Sequence, residues 1–279
     1  MRPWLLRLDL PLVGEVALQS YFFWLMMGCL VASEVAIREA RRSKESPLEI
    51  LKLSAAAIVV GLLGARSFHF LFVAPDGLAA DPTAFFRVWE GGMVFYGGFL
   101  GGLGTLLVWC RLRGLPVLRV GDILAAPAMM GLALGRIGCL SNGCCYGRPI
   151  DWGTGIEWPW AVTFLNGQLP SALKGIPLHP TQAYAVINAV AIFLLLGWLR
   201  RRQRFEGQVL GVLFVVYGIT RSILELFRLD LVRNFLFEEQ WGQVLSTSQA
   251  ISIPVVLLGA WLLCSGSRSR GSWKKSGAQ

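Results

Sequence analysis

The sequence predicts an all-α, polytopic membrane bundle of about seven transmembrane helices, and three observations carry that prediction. Hydrophobic residues make up 54% of the 279, and charged residues only 15%, where an ordinary soluble domain carries about 25%. Mean hydropathy is +0.56. Seven apolar stretches reach or approach the roughly 20 residues that cross a bilayer as a helix. They lie at about 17–37, 50–73, 91–110, 120–140, 182–199, 208–227 and 247–264. Their length and continuity exclude the alternating short strands of an outer-membrane barrel.

The formal net charge of +9 does not point to nucleic acid, because its distribution is that of a membrane protein. One set of interspan loops carries fifteen Lys and Arg residues, at 38–44, 111–119, 200–204 and 268–275, and the opposite set carries seven. The positive-inside rule places the richer set in the cytoplasm, with the N-terminus outside and the C-terminus inside. The first apolar run has no small-residue cleavage site and continues to spanning length, so it reads as a span and not as a cleaved signal peptide. Residues 1–265 form one membrane domain, and 266–279 form a basic, disordered cytoplasmic tail.

Taken in order, 1–15 is a short outer segment and Tyr21 stands near the outer end of the first span. In the second span Arg66 and His69 are three residues apart and share a helix face. Arg66 has two readings of equal weight, a headgroup-reaching arginine or a substrate contact. The outer loop 75–90 holds a short amphipathic piece around Phe85, Phe86 and Trp89. Seven glycines in 91–104, among them Gly97, Gly98 and Gly101, allow close helix packing in a membrane. They leave the Tyr96 hydroxyl in need of a partner at that depth. The longest outer excursion, 143–181, is rich in Trp, Pro and Gly and reads as a partly ordered arm, with Trp152, Trp158 and Trp160 suited to the interface. It ends at His179-Pro180-Thr181, where the fifth span opens.

The stretch 131–148 ends the fourth span and carries Arg136. A cation near the end of a span costs about 2.5 to 3.5 kcal/mol on insertion scales, so it faces a polar cavity or a ligand. Arg221 in the sixth span stands four residues before Glu225, in reach of an ion pair. Two arginines at the outer halves of two spans are most simply explained by one shared anion. The guanidinium fork matches phosphate oxygens, and the phosphate at that depth is a phospholipid headgroup. Asn142 and the amides of 143–147 add neutral donors. Tyr96, His179 and Glu225 are the groups able to handle a proton. Cys139, Cys144 and Cys145 cluster without the C-x2-C spacing of zinc sites. No metal site is expected. A disulfide from Cys139 to Cys144 or Cys145 is the leading reading, and a redox-active pair competes with it.

Gly-Arg-Ile-Gly-Cys-Leu-Ser-Asn-Gly-Cys-Cys-Tyr-Gly-Arg, at 135–148, resembles the signature G-R-[IF]-G-N-F-x-N-x-E-x-x-G-R of the bacterial prolipoprotein diacylglyceryl transferases. Gly-Gly-Met-Val-Phe-Tyr-Gly-Gly, His-Pro-Thr-Gln-Ala-Tyr, Tyr-Gly-Ile-Thr-Arg-Ser-Ile-Leu-Glu-Leu-Phe-Arg, Ser-Gln-Ala-Ile-Ser-Ile-Pro and Tyr21 support the likeness in the family's order. The resemblance implies a seven-span enzyme of the bacterial inner membrane with its site toward the periplasm. It would move a diacylglyceryl group from phosphatidylglycerol to the lipobox cysteine of a preprolipoprotein signal peptide, with no cofactor. By this likeness Arg136 and Arg221 are catalytic. Tyr21, Gly97, Gly98, Asn142, Gly147, His179 and Glu225 contribute to substrate binding, and Arg66 is counted with them on its position in the second span. Tyr96 stands where many members carry a histidine proposed as the base. A tyrosine with its usual pKa near 10 needs a neighbouring arginine to act on a thiol near 8.5. The chain departs from the signature at Cys139 and at Cys144-Cys145. Two other classes remain open on the residues alone: a membrane thiol oxidoreductase using Cys139, Cys144 and Cys145, and a lipid-headgroup-binding paralogue or transporter using the arginines.

Overall fold

The computed structural model describes residues 4–10, 14–87, 92–150, 159–165, 169–229 and 246–268. Seven of its helices are long and apolar enough to cross a membrane, within a few residues of the expected spans. They are α1 (Ser20–Arg42), α2 (Pro47–Phe72), α4 (Phe95–Arg113), α5 (Val117–Asn142), α6 (Thr181–Arg200), α7 (Gln208–Glu225) and α8 (Thr247–Arg268). A short α3 (Pro75–Ala80) and a 3-10 turn (Pro82–Phe86) follow α2, where the amphipathic piece was expected. Trp89, Trp152, Trp158 and the segment 269–279 lie outside the described residues.

The first departure from expectation is at the N-terminus. The segment before the first span forms a hairpin, β1 (Trp4–Leu10) with β2 (Gly14–Gln19), which runs directly into α1. The second is the length of α1, which continues to Arg42 beyond the apolar window. The pairs Glu34–Arg38 (2.7 Å) and Glu39–Arg42 (2.5 Å) carry its charged last turns as i,i+4 and i,i+3 bridges.

The bundle is built on pairs, α1 with α5, α2 with α4, α7 with α8, and α5 with α6. Where two helices are to touch backbone to backbone, the sequence supplies glycine. A Cβ on Gly64 would lie 2.5 Å from the Gly97 carbonyl, and one on Gly259 would lie 2.7 Å from that of Gly211. Such contacts suit a bilayer, where association rests on van der Waals packing and not on hydrophobic burial. Leu30, Val59, Leu112, Ile187, Leu194 and Leu257 are exposed, as lipid-facing residues should be.

The two ends of the bundle differ. At one end a polar network joins four helices. Arg119 bonds the Ser43 carbonyl (3.0 Å) and Glu45 (2.9 Å), while Arg200 donates to Ser43 Oγ (2.5 Å). Buried Asp122 accepts from the Gly207 and Leu210 amides (2.6 and 2.8 Å), and so caps the N-terminus of α7 from α5. At the other end, the arm folds back through β3 (Val162–Thr163) and β4 (Pro177–Leu178) around a small core of Tyr146, Phe164, Leu169 and Leu178.

Candidate active site

The arm end of the bundle contains a small open cavity between α5, α6 and α7. Arg136 and Leu132 line it from α5, and Thr181, Ala185 and Asn188 from α6. Tyr217, Arg221 and Leu224 line it from α7, with Cys145 and Arg228 from the flanking turns. Arg136 lies six residues before the C-terminus of α5 and Arg221 four before that of α7, so both side chains reach the same depth. Arg221 is fixed by Glu225 (2.5 Å) and Ser248 Oγ (2.8 Å). Glu225 itself is 3% exposed. Its carboxylate offsets one of three arginines, leaving the cavity wall cationic.

Arg228 was not anticipated as a site residue. It lies just past the end of α7, where counting loop charges assigned it to the outer surface, yet two helical turns after Arg221 it returns to the same face. Its Nε is buried and has no hydrogen-bond partner among the described residues. Burial pushes its guanidinium below the ordinary value, Cys145 and Glu225 oppose that shift, and Arg221 and Arg136 add to it. Thr181, Asn188 and Tyr217 were also missed. Neutral residues on an apolar helix give no sequence signal until the helices are placed.

The turn after α5 is closely determined. Gly143 (φ 70) and Cys145 (φ 59) both adopt left-handed backbone. Thr181 Oγ1 donates to the Cys145 carbonyl (2.7 Å) and Gln182 Nε2 to that of Cys144 (2.7 Å), tying the turn to the start of α6. Such alternation of backbone hand turns successive amides toward one side, as in anion-binding nests. Gly147 donates to the His179 carbonyl (3.0 Å) and bridges to Arg228. A Cβ at Gly147 would lie 2.6 Å from the Phe227 carbonyl and 2.7 Å from that of His179.

The other expected site residues separate into two groups. Asn142 is buried and hydrogen-bonds Cys144. Tyr21 packs beside Gly138 and faces Arg136 and the three thiols electrostatically. His179 contacts the Tyr184 hydroxyl (3.1 Å) and packs on Phe227, and burial and Arg148 hold its pKa below the usual value. These residues share the arm end with the cavity. Tyr96, Gly97, Gly98 and Arg66 belong to the α2–α4 pair and do not line it. Tyr96 is 38% exposed, with its ring on Phe95. Arg66 donates to the carbonyls of Ala84, Phe85 (3.3 Å), Arg87 (3.2 Å) and Gly92 (3.1 Å), clamping the loop between α2 and α4.

Cys139, Cys144 and Cys145 are not bonded to one another, so the expected disulfide is not formed. The Sγ atoms of Cys139, Cys144 and Cys145 nevertheless lie within 4.8 Å of one another. Hydrogen bonds from the Cys139 and Cys144 thiols, then Arg136 and Arg228, hold the Cys145 thiol far below its ordinary pKa.

The fold and this site define a multi-pass membrane protein with an arginine-lined cavity between its helices. Residues 10–265 match the family model described as prolipoprotein diacylglyceryl transferase. A protein of Mannheimia succiniciproducens named phosphatidylglycerol--prolipoprotein diacylglyceryl transferase is 32% identical over 94% of this chain and 93% of its own length. One of the same name from Nitrobacter winogradskyi is 33% identical over 93% and 88%. Another, from Azospirillum brasilense, is 36% identical over 76% and 75%. The chain belongs to the prolipoprotein diacylglyceryl transferase family.

Proposed function

We propose that this chain transfers a diacylglyceryl group from phosphatidylglycerol to the lipobox cysteine of a preprolipoprotein, in the bacterial inner membrane with its site toward the periplasm. The observation that carries this reading is the meeting of Arg136 and Arg221, from separate helices, in one cavity with Arg228. The bundle through residue 265 acts as one domain, with the arm 143–181 over its outer end and 266–279 as a cytoplasmic tail.

The arginines hold the lipid phosphate. The thiolate sulfur supplies the electron pair for a bond to the glycerol carbon that bears this phosphate. The carbon–oxygen bond breaks, and its electron pair stays on the departing glycerol phosphate. The thiol's proton balances the charge that the leaving group gains. Fixed guanidinium donors in a low-dielectric site stabilise that growing charge. Tyr21, Asn142 and Gly147 shape the end of the site near the phosphate, and Glu225 orients Arg221. Of the two groups expected to assist proton removal, His179 is neutral at pH 7, because its pKa is depressed. It precedes the cavity-lining Thr181 by two residues. Tyr96 lies on α4, where Gly97 and Gly98 pack against α2 and Arg66 holds the loop beside it.

The test is lipidation of a reporter lipoprotein in a strain lacking its own transferase. Arg136→Ala and Arg221→Ala are each expected to lower lipidation roughly a hundredfold or more, with membrane insertion intact. Glycerol phosphate release from phosphatidylglycerol by the purified protein separates an enzyme from a lipid carrier. Retained lipidation in either variant overturns the assignment.

A further inference from the structure

Three thiols cluster beside this cavity, with Cys145 lining it, and the chemistry above gives them no part. Cys139 is the last but three of α5, and the turn 143–145 brings Cys144 and Cys145 back over it. The Cys144 amide donates to the Cys139 carbonyl (3.1 Å), and Thr181 and Gln182 hold the following two carbonyls. A non-glycine residue in left-handed backbone costs on the order of 1 to 2 kcal/mol and persists where its surroundings over-determine it. Here the result is that three sulfurs face one another within 4.8 Å, with none bonded to another. A disulfide would use two of them and leave the third idle.

A thiophilic cation uses all three. With zinc–sulfur bonds of about 2.3 Å, the sulfurs of a tetrahedral site lie about 3.8 Å apart. Side-chain rotation within an ångström closes the triad to that spacing. Three thiolates around a divalent ion leave one negative charge, and Arg136 and Arg228 both act on Cys145 from the cavity side. The Asn142 side chain donates to Cys144, and the Tyr21 hydroxyl faces the triad. Such outer partners orient ligands in metal sites. Three protein ligands with one position open is the pattern of reactive zinc, whereas structural zinc has four. Cys145 itself lines the cavity, so the open position falls toward the lipid site.

We propose that Cys139, Cys144 and Cys145 form a tris-thiolate zinc site whose fourth position takes the sulfur of the incoming lipobox cysteine. The identity of the fourth ligand rests on the transferase reading, whereas the site itself does not. On coordination the substrate thiol gives its proton to water, since a thiol bound to zinc is deprotonated outright. The zinc-bound sulfur's electron pair forms the bond to the glycerol carbon, and the carbon–oxygen bond breaks with its pair on the phosphate. The neutral thioether then leaves the metal. Zinc is neither oxidised nor reduced.

The experiment uses the full chain in detergent micelles, purified under reducing conditions from zinc-supplied cells. Elemental analysis is expected to find about one zinc ion per chain, lost in Cys145→Ser and separately in Cys144→Ser, both folded by circular dichroism. Cobalt substitution of the wild type should give thiolate charge-transfer bands and intense tetrahedral d–d bands. A lipobox peptide with a free cysteine should shift the d–d bands, and its Cys→Ser analogue should not. A thiol of pKa near 8.5 is only about one-thirtieth ionised at pH 7. Lipidation by Cys145→Ser is therefore expected to fall up to roughly thirtyfold at pH 7, the deficit shrinking toward pH 9. A zinc-free wild type, copper in place of zinc, or a disulfide among the three in thiol-blocked membranes overturns the site. Cobalt bands unmoved by the peptide overturn the fourth ligand. Bound zinc without any glycerol phosphate release would sink the transferase reading and leave the metal site standing.

Discussion

At Gly147 there is no space for one further carbon. The atoms a Cβ would meet at 2.6 and 2.7 Å are the Phe227 and His179 carbonyls, backbone groups that cannot swing aside. Those strands carry Arg228 into the cavity and His179 beside it. Overpacking of this kind costs about 1 to 3 kcal/mol. Gly147→Ala should therefore lower the melting temperature and reduce lipidation together. Gly102→Ala, at a glycine with no neighbour within 4 Å, should change neither. Thermal unfolding and reporter lipidation of the two variants check the contrast, and equal behaviour would contradict it. At this scale Arg136 and Arg221 were legible, because a full charge in an apolar span has to be explained. Arg66 was harder to read. Its partners are backbone carbonyls 18 to 26 residues away, and a carbonyl leaves no mark in a sequence.

The helices were the most legible elements, since their apolar length is set by the bilayer. Their ends were less so, because polar contacts from other helices decide them. Helix α7 begins at Gln208 because Asp122, 86 positions earlier, presents its carboxylate to the amides of Gly207 and Leu210. Removing that acceptor in Asp122→Ala leaves buried donors unpaired, at about 1 to 3 kcal/mol for each such group. The variant should lose stability on that order, and Asp122→Asn, which keeps an acceptor oxygen, should lose less. Denaturant unfolding in micelles ranks the two, and a silent Asp122→Ala would mean that the cap does not hold α7 in place. The hairpin of β1 and β2 could have been found from sequence. Leu6-Arg7-Leu8-Asp9-Leu10 alternates apolar and polar residues with the period of a strand, a signal overshadowed by the longer apolar run that follows.

Across the whole molecule, charge separates the two ends and gives each a different task. The end built on Glu39, Ser43, Arg119, Asp122 and Arg200 carries the basic segments 38–44, 111–119 and 200–204. The end with the cavity holds its arginines inward, around the cavity and on a loop clamp. By the positive-inside rule the first end is expected in the cytoplasm, and the proposed function then requires the cavity to open toward the outer face. A fluorescent protein fused after residue 268, or placed in the turn 201–207, is expected to fluoresce, and alkaline phosphatase at the same points to be inactive. Active phosphatase at either point would turn the cavity to the cytoplasm. The arginines would then face a headgroup on the side away from the exported cysteine, and no thioether could form there.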